Sequence, residues 1–349
     1  MSLPELSRRE RIVLEAVIQT YVQTAEPAGS RTLTRRFGLG VSPATIRNTM
    51  SDLEEKGFLF HPHTSAGRVP TDKAYRAYVD SLLQVAPLES ADVELLQENL
   101  RSTGGTAIES VLRRAAQSLG VLSQELGVAL GPRMNDAVLE RLDLARVSTG
   151  RLLMILTIGG GFARTVFVEV QGEIAESALA EVTMVLNERL GGLSLAEVRA
   201  TVGERLRDAA KSTDAGELLN IFVEEGESLF DASLPSAAEQ VVLGQASVLA
   251  EQPEFAGPES MRRLLALTET PERLAEAIRR RNTGPGISIT IGNEHDDPRL
   301  GDFTVITTEY HAGPLSGVIG VIGPTRMPYE KVISLVSHTS RLLTALLNR

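Results

Sequence analysis

The sequence has 349 residues, of which 42% are hydrophobic and 23% charged, and it contains no cysteine. This length favours two or three domains, and the composition is that of a globular protein. The lack of cysteine excludes disulfides, zinc–thiolate sites and thiol nucleophiles. The N-terminal residues lack the apolar core of a signal peptide, and the longest strongly apolar run, 152–158, is too short to span a bilayer. We therefore expect a cytoplasmic protein with no membrane partner.

The net charge of −10 is unevenly distributed along the chain. Residues 1–80 hold eleven Lys/Arg and nine Asp/Glu, whereas the remaining residues hold 24 and 36. Within 31–76 there are eight basic and four acidic residues. A mildly basic N-terminal segment on an acidic body is compatible with a DNA-binding head on a regulatory body.

Two helices are predicted at the start of the chain. Ser7 followed by Glu10 is a capping pattern that opens a helix over 7–24. Ser30 is expected to cap a second, short helix over 30–37, which the glycines after it would end.

A third helix is predicted over 43–56. Ser42 is a good N-cap, Pro43 suits the first helical position, and Gly57 supplies a left-handed stop. Its apolar side chains recur at i, i+4 and i+7 and therefore share one face: Ile46, Met50 and Leu53.

Residues 57–71 predict a strand, a turn and a returning strand, and 72–83 predict a further helix. Helices joined by a tight turn and followed by a hairpin form a winged helix-turn-helix, whose second motif helix enters the major groove. The alternative is a winged helix that binds another protein, with the third helix merely solvated.

If the third helix buries its apolar face, its polar side chains point outward toward DNA. Arginine pairs with guanine, asparagine with adenine, and threonine offers its methyl or hydroxyl group to a base edge. The candidates for base contacts are Thr45, Arg47, Asn48 and Ser51. The candidates for phosphate contacts are Arg31, Arg35, Arg36, Ser42, His63, Thr64, Ser65, Arg68 and Lys73.

The rest of the chain predicts helices, then strands, then helices and strands again. One or two helices are expected over 93–128, and the triple glycine 159–161 between two strands favours a hairpin over a phosphate-binding loop. The further predicted elements are strands at 139–148, 151–158, 162–170, 287–292, 303–310 and 317–323, helical segments at 177–230 (with breaks at 191–192 and 212–217) and 259–281, and a final helix at 328–347. This order favours one α+β sheet domain interrupted by a helical insertion, although two separate small domains would give the same periodicity.

Three other clusters have simpler explanations than a site. His61 and His63 could share a strand face as metal ligands, but no third ligand lies nearby in the sequence, so a wing surface is favoured. The acidic run 294–299 is favoured as a polar loop, and the basic run 278–282 as a helix end with cations at its C-terminal dipole.

The run SPATIRNTMSDLEEKGFLFHPHTSAGRVPTDKAYRAYVD, residues 42–80, closely resembles the heat-inducible transcription repressors of bacteria, the HrcA family. Two later segments are also similar to that family: VLAEQPEF at 248–255, and the C-terminal strand and helix at 315–347, which contain IGPTRM. The resemblance extends over essentially the whole chain.

The resemblance implies an α+β multidomain repressor in three parts. These are a winged helix-turn-helix domain at 1–85 with a linker helix at 86–104, a discontinuous GAF-like domain at 105–171 and 284–349, and an inserted α/β dimerisation domain at 172–283. It also implies a homodimer that binds double-stranded DNA at an inverted-repeat operator, the CIRCE element of chaperone operons. Support of its activity by the GroE chaperonin, and a cytoplasmic location on the nucleoid when bound to the operator, follow from the same resemblance.

Two other classes of function are compatible with parts of the sequence. A ligand-sensing regulator would bind a small metabolite in the GAF-like domain, although no polar constellation in the sequence indicates one. An enzyme is disfavoured, because the sequence shows no phosphate cradle, no paired metal motif and no thiol, and its five histidines are scattered. We expect no catalytic residue, metal or cofactor.

Overall fold

The computed structural model describes residues 6–63, 67–83, 87–101, 108–132, 136–159, 162–172, 174–207, 209, 213–231, 241–281 and 286–348. These residues pack into three hydrophobic clusters. Thr64 and Ser65, two of the candidate phosphate contacts, lie outside the described residues.

The N-terminal head comprises the described residues from 6 to 83. Its elements are α1 (Arg8–Thr24), α2 (Ser30–Phe37), α3 (Pro43–Glu55), β1 (Leu59–Phe60), β2 (Val69–Pro70) and α4 (Asp72–Ala77), which continues as a π-helical turn over Tyr78–Leu82. β1 and β2 pair antiparallel, with Leu59 opposite Pro70. Three helices, a two-stranded hairpin and a closing helix are the elements of a winged helix-turn-helix.

The helix starts of the head follow the sequence with one exception. The Ser7 hydroxyl accepts a hydrogen bond from the backbone of Glu10 at 3.3 Å, and the Glu10 carboxylate accepts one from the backbone of Ser7 at 2.8 Å, so the capping box is confirmed. The prediction that Ser30 caps α2 is wrong. Gly29 is the N-cap, while Ser30 is the first helical residue and is buried.

The chain then builds a body from two interleaved units. The next elements are α5 (Ser90–Arg101), α6 (Ile108–Ser123), β3 (Leu126–Leu130), β4 (Leu139–Ser148), β5 (Arg151–Ile158), β6 (Phe162–Glu169), α7 (Glu176–Leu190), α8 (Leu195–Leu206) and α9 (Thr213–Leu229). After them come β7 (Val241–Leu243), α10 (Ser247–Ala250), α11 (Pro258–Glu269), α12 (Pro271–Arg281), β8 (Ile287–Ile291), β9 (Phe303–Ala312), β10 (Leu315–Pro324) and α13 (Tyr329–Leu347).

The body contains two sheets, which corrects the single interrupted sheet expected from the sequence. β3 and β7–β10 form a five-stranded antiparallel sheet in the order β7-β3-β10-β9-β8, whereas β4, β5 and β6 form a separate three-stranded sheet. Periodicity reports which face of a strand is buried but not which strand it pairs with, so it could not separate these sheets. We call the two units the five-stranded domain and the three-stranded domain.

β3 was missed because the sequence predicted helix as far as residue 128. All five residues of β3 are buried, so the strand shows a short apolar run rather than the alternation of a half-exposed strand. A Cβ at Gly127 would lie 1.8 Å from the carbonyl oxygen of Ala116, so α6 packs backbone-to-backbone on this central strand.

Two helix boundaries also differ from the prediction. The single helix expected over 259–281 is two helices, α11 and α12, because Pro271 cannot continue a helix and instead begins the next one. α9 starts at Thr213, inside the segment 212–217 that was expected to be a break. The hairpin at the triple glycine is confirmed, because β5 and β6 pair with Ile158 opposite Phe162.

The head and the five-stranded domain share one hydrophobic cluster. It joins the core of α1–α4 to α5, α6, α13 and one face of the five-stranded sheet. The other face of this sheet is covered by α10, α11 and α12. The three-stranded domain has its own core, between its sheet and α7, α8 and α9.

Candidate nucleic-acid interface

The exposed face of α3 is the candidate interface. The apolar stripe predicted from the sequence is buried, since Ile46, Met50 and Leu53 are 0%, 3% and 0% exposed. On the opposite face, Arg47 and Asn48 are exposed, and within the described residues neither side chain has a hydrogen-bond or ion-pair partner. They are therefore free to donate to an acceptor from outside the chain.

Ser42, Thr45 and Ser51 are less available, because each already has a local bond. The Ser42 hydroxyl accepts from the backbone N–H of Thr45 at 3.2 Å, which confirms Ser42 as the N-cap, and it lies 3.0 Å from the Thr45 hydroxyl. Ser51 donates to the carbonyl of Arg47 at 3.2 Å, and both Thr45 and Ser51 are half-buried.

The acidic residues of α3 restrict where DNA could approach. Asp52 and Glu55 are exposed on the C-terminal half of the helix, where they would repel phosphate. The N-terminal half carries Arg47 and Asn48, and it is this half of a recognition helix that contacts base edges.

The arginines of α2 add positive charge next to α3, with which α2 packs. Arg31, Arg35 and Arg36 are exposed, and none of them has an ion pair within the described part of the chain. The Arg36 guanidinium lies 5.7 Å from the ring centroid of Phe37. His63 is likewise exposed.

Arg68 and Lys73 are differently placed from the exposed arginines. The Arg68 side chain is 11% exposed and its guanidinium pairs with Glu54 at 2.7 Å. The Lys73 ammonium donates to the carbonyl of Lys56 at 2.7 Å and lies 4.6 Å from the ring centroid of Phe58. Arg68 holds the hairpin against α3, whereas Lys73 holds α4 against the residue that follows α3. Their assignment to phosphates stays a prediction that this geometry does not favour.

The carboxylates of the acidic run 294–299 are paired with arginines, one of which, Arg281, belongs to the basic run 278–282. The carboxylates of Glu294 and Asp296 bind Arg76 and Arg281, and Asp297 binds Arg299. The hydrogen bonds from Arg299 lower the pKa of Asp297 to about 2. Burial lowers the pKa of His295, whose Nε2 lies 3.1 Å from the carbonyl oxygen of Phe303.

The remaining histidines also lack metal-site geometry. His61 lies 3.0 Å from the Glu54 carboxylate rather than in a ligand group with His63. Across the residues that the structure describes, no three His, Cys, Asp or Glu side chains lie close enough to hold a metal ion. Within those same ranges, no helix is both long and apolar enough to cross a bilayer.

The sequence reasoning missed a set of contacts between the head and the five-stranded domain. Arg76 of α4 binds Glu294, and Arg326 reaches the carbonyl of Val22 in α1 at 2.8 Å. The partners are more than 200 residues apart in the chain, so no local pattern indicates them. The sequence offered one indication that Arg326 is important, which is its position in the 315–347 segment that resembles the HrcA family.

A three-helix head with a hairpin and an outward-facing polar helix, joined to an α+β body, defines a winged helix-turn-helix transcriptional regulator. The model of the HrcA protein C-terminal domain matches residues 109–333. The chain belongs to the HrcA family of heat-inducible transcription repressors. This is a family of repressors rather than enzymes.

Similar proteins cover the chain from end to end. The heat-inducible transcription repressor HrcA of Chlorobium phaeobacteroides strain BS1 is 39% identical, over 99% of both chains. That of Chlorobaculum tepidum is 38% identical, over 100% of this chain and 99% of the other. A crystal structure of a hypothetical protein at 2.2 Å resolution has a TM-score of 0.62 and 23% identity over 99% of both chains, which shows that the two share a fold.

Proposed function

We propose that this protein is a heat-inducible transcription repressor that acts by occupying an operator in double-stranded DNA. The observation that carries the proposal is the exposed face of α3, where Arg47 and Asn48 project without partners from within the described residues over a buried stripe. Arg31 and Arg35 beside them supply charge for the phosphates. Repression by occupancy needs no catalytic group.

We further propose that the repressor is a homodimer on an inverted repeat, joined through the three-stranded domain. The outer face of its sheet exposes apolar side chains among charged ones: Val147 and Phe167 are 54% and 52% exposed, and Leu153, opposite Phe167 on the neighbouring strand, is half-buried. The Arg151 guanidinium lies 4.3 Å from the centroid of the Phe167 ring. A second copy of the same face would remove this apolar surface from water. The two heads must then reach half-sites about 34–36 Å apart, or a multiple of that distance.

The sheets and hydrophobic clusters of the body also indicate where the inserted domain begins and ends. We propose that the inserted domain runs from 136 to 231, rather than over the 172–283 that the resemblance implies, because its strands and helices share one core, to which Leu315 of β10 also contributes. The five-stranded domain, which the family resemblance implies is GAF-like, then comprises the remaining body segments on either side.

The partners and location follow from the family. We propose a CIRCE-type operator upstream of chaperone operons, support by the GroE chaperonin, and a cytoplasmic protein that is on the nucleoid when bound. What supports these assignments is membership of a family whose curated relatives are heat-inducible repressors.

The test is a gel shift with the full-length protein on an inverted-repeat chaperone promoter, with a scrambled repeat as the control. We expect a shift of the inverted repeat at nanomolar protein and none of the scrambled probe, and a larger bound fraction when chaperonin is added. Equal affinity for both probes at physiological salt would refute operator binding. An unchanged bound fraction with chaperonin would refute the GroE assignment alone.

The alternative is a regulator that senses a small metabolite. The observation that favours it is a cleft of about 480 Å³ between α12 and the loop after β8, whose lining includes both cations and carboxylates: Arg273, Arg280, Arg281, Arg299, His295, Glu276, Asp296 and Asp297. A ligand that binds only the folded state raises the unfolding temperature, so a thermal-shift screen of phosphorylated and carboxylated metabolites tests this function.

A further inference from the structure

The head is tied to the five-stranded domain by two arginines that reach in opposite directions. Arg326 lies on the connection between β10 and α13, and its side chain is 14% exposed. Its guanidinium binds the Glu254 carboxylate through two N–H groups, one of them at 2.9 Å, and donates with Nη1 to the carbonyl oxygen of Val22 at 2.8 Å. One side chain therefore bridges a body carboxylate and a head backbone.

The Val22 carbonyl is an acceptor at the C-terminal end of a helix. It lies in the last turn of α1, where carbonyl groups have no partner within the helix and carry the negative end of the helix dipole. This turn has no basic residue of its own, and α1 ends at Ala25 in a left-handed conformation, φ 54°. The cation that a helix C-terminus ordinarily takes from its own sequence comes here from another domain.

The body side of this contact is itself held firmly. Glu254 belongs to a short helical turn, Pro253–Phe255, directly after Gln252. The Gln252 amide donates to the carbonyl of Gln124 at 2.6 Å and to the buried Glu125 carboxyl at 3.2 Å. Glu254 is thereby anchored to the start of β3.

A second contact runs from the head into the body. Arg76 of α4 donates with Nε to Glu294 at 2.8 Å and with Nη2 to the carbonyl of Ile289 at 2.7 Å. Beside it, Asp72 accepts hydrogen bonds from the backbone and the side chain of Asn293, at 3.0 and 2.9 Å.

The loop that receives Asp72 is shaped for this contact. Gly292 has φ +51°, and a Cβ there would lie 2.2 Å from the Asp72 carboxylate. Only glycine combines that backbone conformation with that close approach.

We propose that Arg326 and Arg76 are positioning residues for operator binding, which hold α1 and α4 to the five-stranded domain and so set the direction in which α3 faces. The rings of Tyr75 and Tyr329 also pack at 5.7 Å, and the Tyr78 hydroxyl donates to Glu330 at 2.6 Å, so several polar and aromatic contacts restrict rotation of the head on the shared core. This inference rests on the proposed function, since direction matters only if two heads engage one inverted repeat.

The arginine contacts should matter for binding to an inverted repeat and not for binding to a single half-site. A single half-site needs only a folded head, whereas simultaneous binding of two half-sites requires heads whose spacing and direction match the repeat. Loosening either arginine contact should therefore weaken the inverted repeat and not the half-site. It should also reduce the preference for one spacer length.

The test is Arg326→Lys in the full-length protein, because lysine keeps the charge but cannot bind Glu254 bidentately while reaching Val22. Affinity is measured for an inverted repeat, the same repeat with two added spacer base pairs, and a half-site. We expect half-site affinity within twofold of the unmodified protein, inverted-repeat affinity at least tenfold weaker, and a smaller penalty for the longer spacer. Arg263→Lys is the matched control, since its partners Glu259 and Asp302 both lie in the five-stranded domain.

Several outcomes would overturn the inference. Unchanged inverted-repeat affinity and spacer preference would mean that the contact does not set head direction, and tighter binding would mean that it holds the heads away from DNA. Equal weakening of repeat and half-site would place the damage in the head itself. If Arg326→Lys does not fold, Arg76→Lys is measured on the same probes. Failure of the proposed function is distinct, because the unmodified protein would then show no preference for the inverted repeat.

Discussion

Replacing Glu125 with glutamine should change how stability depends on pH. Glu125 is 2% exposed, accepts a hydrogen bond from Gln252 at 3.2 Å, and lies where a Cβ at Gly323 would meet its carboxylate at 2.0 Å. Burial raises the pKa of this carboxyl well above its usual range, because a charge there would lose its hydration.

The sign and the slope follow from linkage. Between the ordinary pKa of the unfolded chain and the raised pKa of the folded chain, folded Glu125 holds a proton that the unfolded chain has released. The free energy of unfolding contributed by this group therefore falls by about 1.4 kcal/mol for each pH unit across that window. Stability is fully present below the unfolded pKa and is lost as pH rises. Glutamine at 125 keeps the acceptor and removes the titration.

The assay is urea unfolding of the unmodified protein and of Glu125→Gln from pH 4 to pH 8, followed by tyrosine fluorescence. The chain has five tyrosines and no tryptophan, and all five lie in or against the cluster shared by the head and the five-stranded domain, so the signal reports the region around Glu125. We expect Glu125→Gln to gain stability relative to the unmodified protein as pH rises. A difference that stays constant across the series would refute a protonated Glu125 in the folded protein. Glu140→Gln, at an exposed position of β4, controls for removing a carboxylate.

Three predictions concern the interface and the dimer. Arg47→Ala should weaken operator binding roughly 5- to 150-fold, as expected for a base contact of about 1–3 kcal/mol, and weaken random DNA much less; equal losses on the two DNAs would remove Arg47 from base recognition. Arg35→Ala should reduce the log–log salt slope of binding by about 0.9, whereas Arg68→Ala, whose guanidinium is already ion-paired, should leave the slope unchanged. Phe167→Asp should convert the proposed dimer to monomers in analytical ultracentrifugation, and a dimer that persists would place the interface elsewhere.

The sequence predicted best where several local signals coincide. In α3, the Ser42 cap, Pro43 and the apolar stripe are all short-range features of one helix, and the helix lies within a residue of its predicted bounds. The exposure of Arg47 follows from the same periodicity. Short-range sequence features are therefore sufficient to predict both the helix and the residues on its exposed face.

The features that were missed depend on distant partners. β3 is a strand because β7 and β10 lie on either side of it, and its uniformly buried residues do not distinguish that environment from a helix core. Arg68 is a basic side chain in a turn-rich segment, which predicts a phosphate contact; its ion pair with Glu54 is the feature that the sequence did not indicate. Composition identifies a cation and not the carboxylate that will neutralise it.

The stability of the head depends on the five-stranded domain, because the two share one hydrophobic core. Tyr75 and Tyr78 are 2% and 4% exposed, and they are buried by contact with α13, where Tyr329 packs on the first and Glu330 bonds to the second at 2.6 Å. Without the body, these two tyrosines would lose their partners on α13, and α1 would lose the cation at its C-terminal end. A perturbation that unfolds the five-stranded domain therefore also destabilises the DNA-binding surface, although α3 itself makes none of these contacts. Under the proposed function, loss of the body's stability would therefore also weaken DNA binding, without a separate switch in the head.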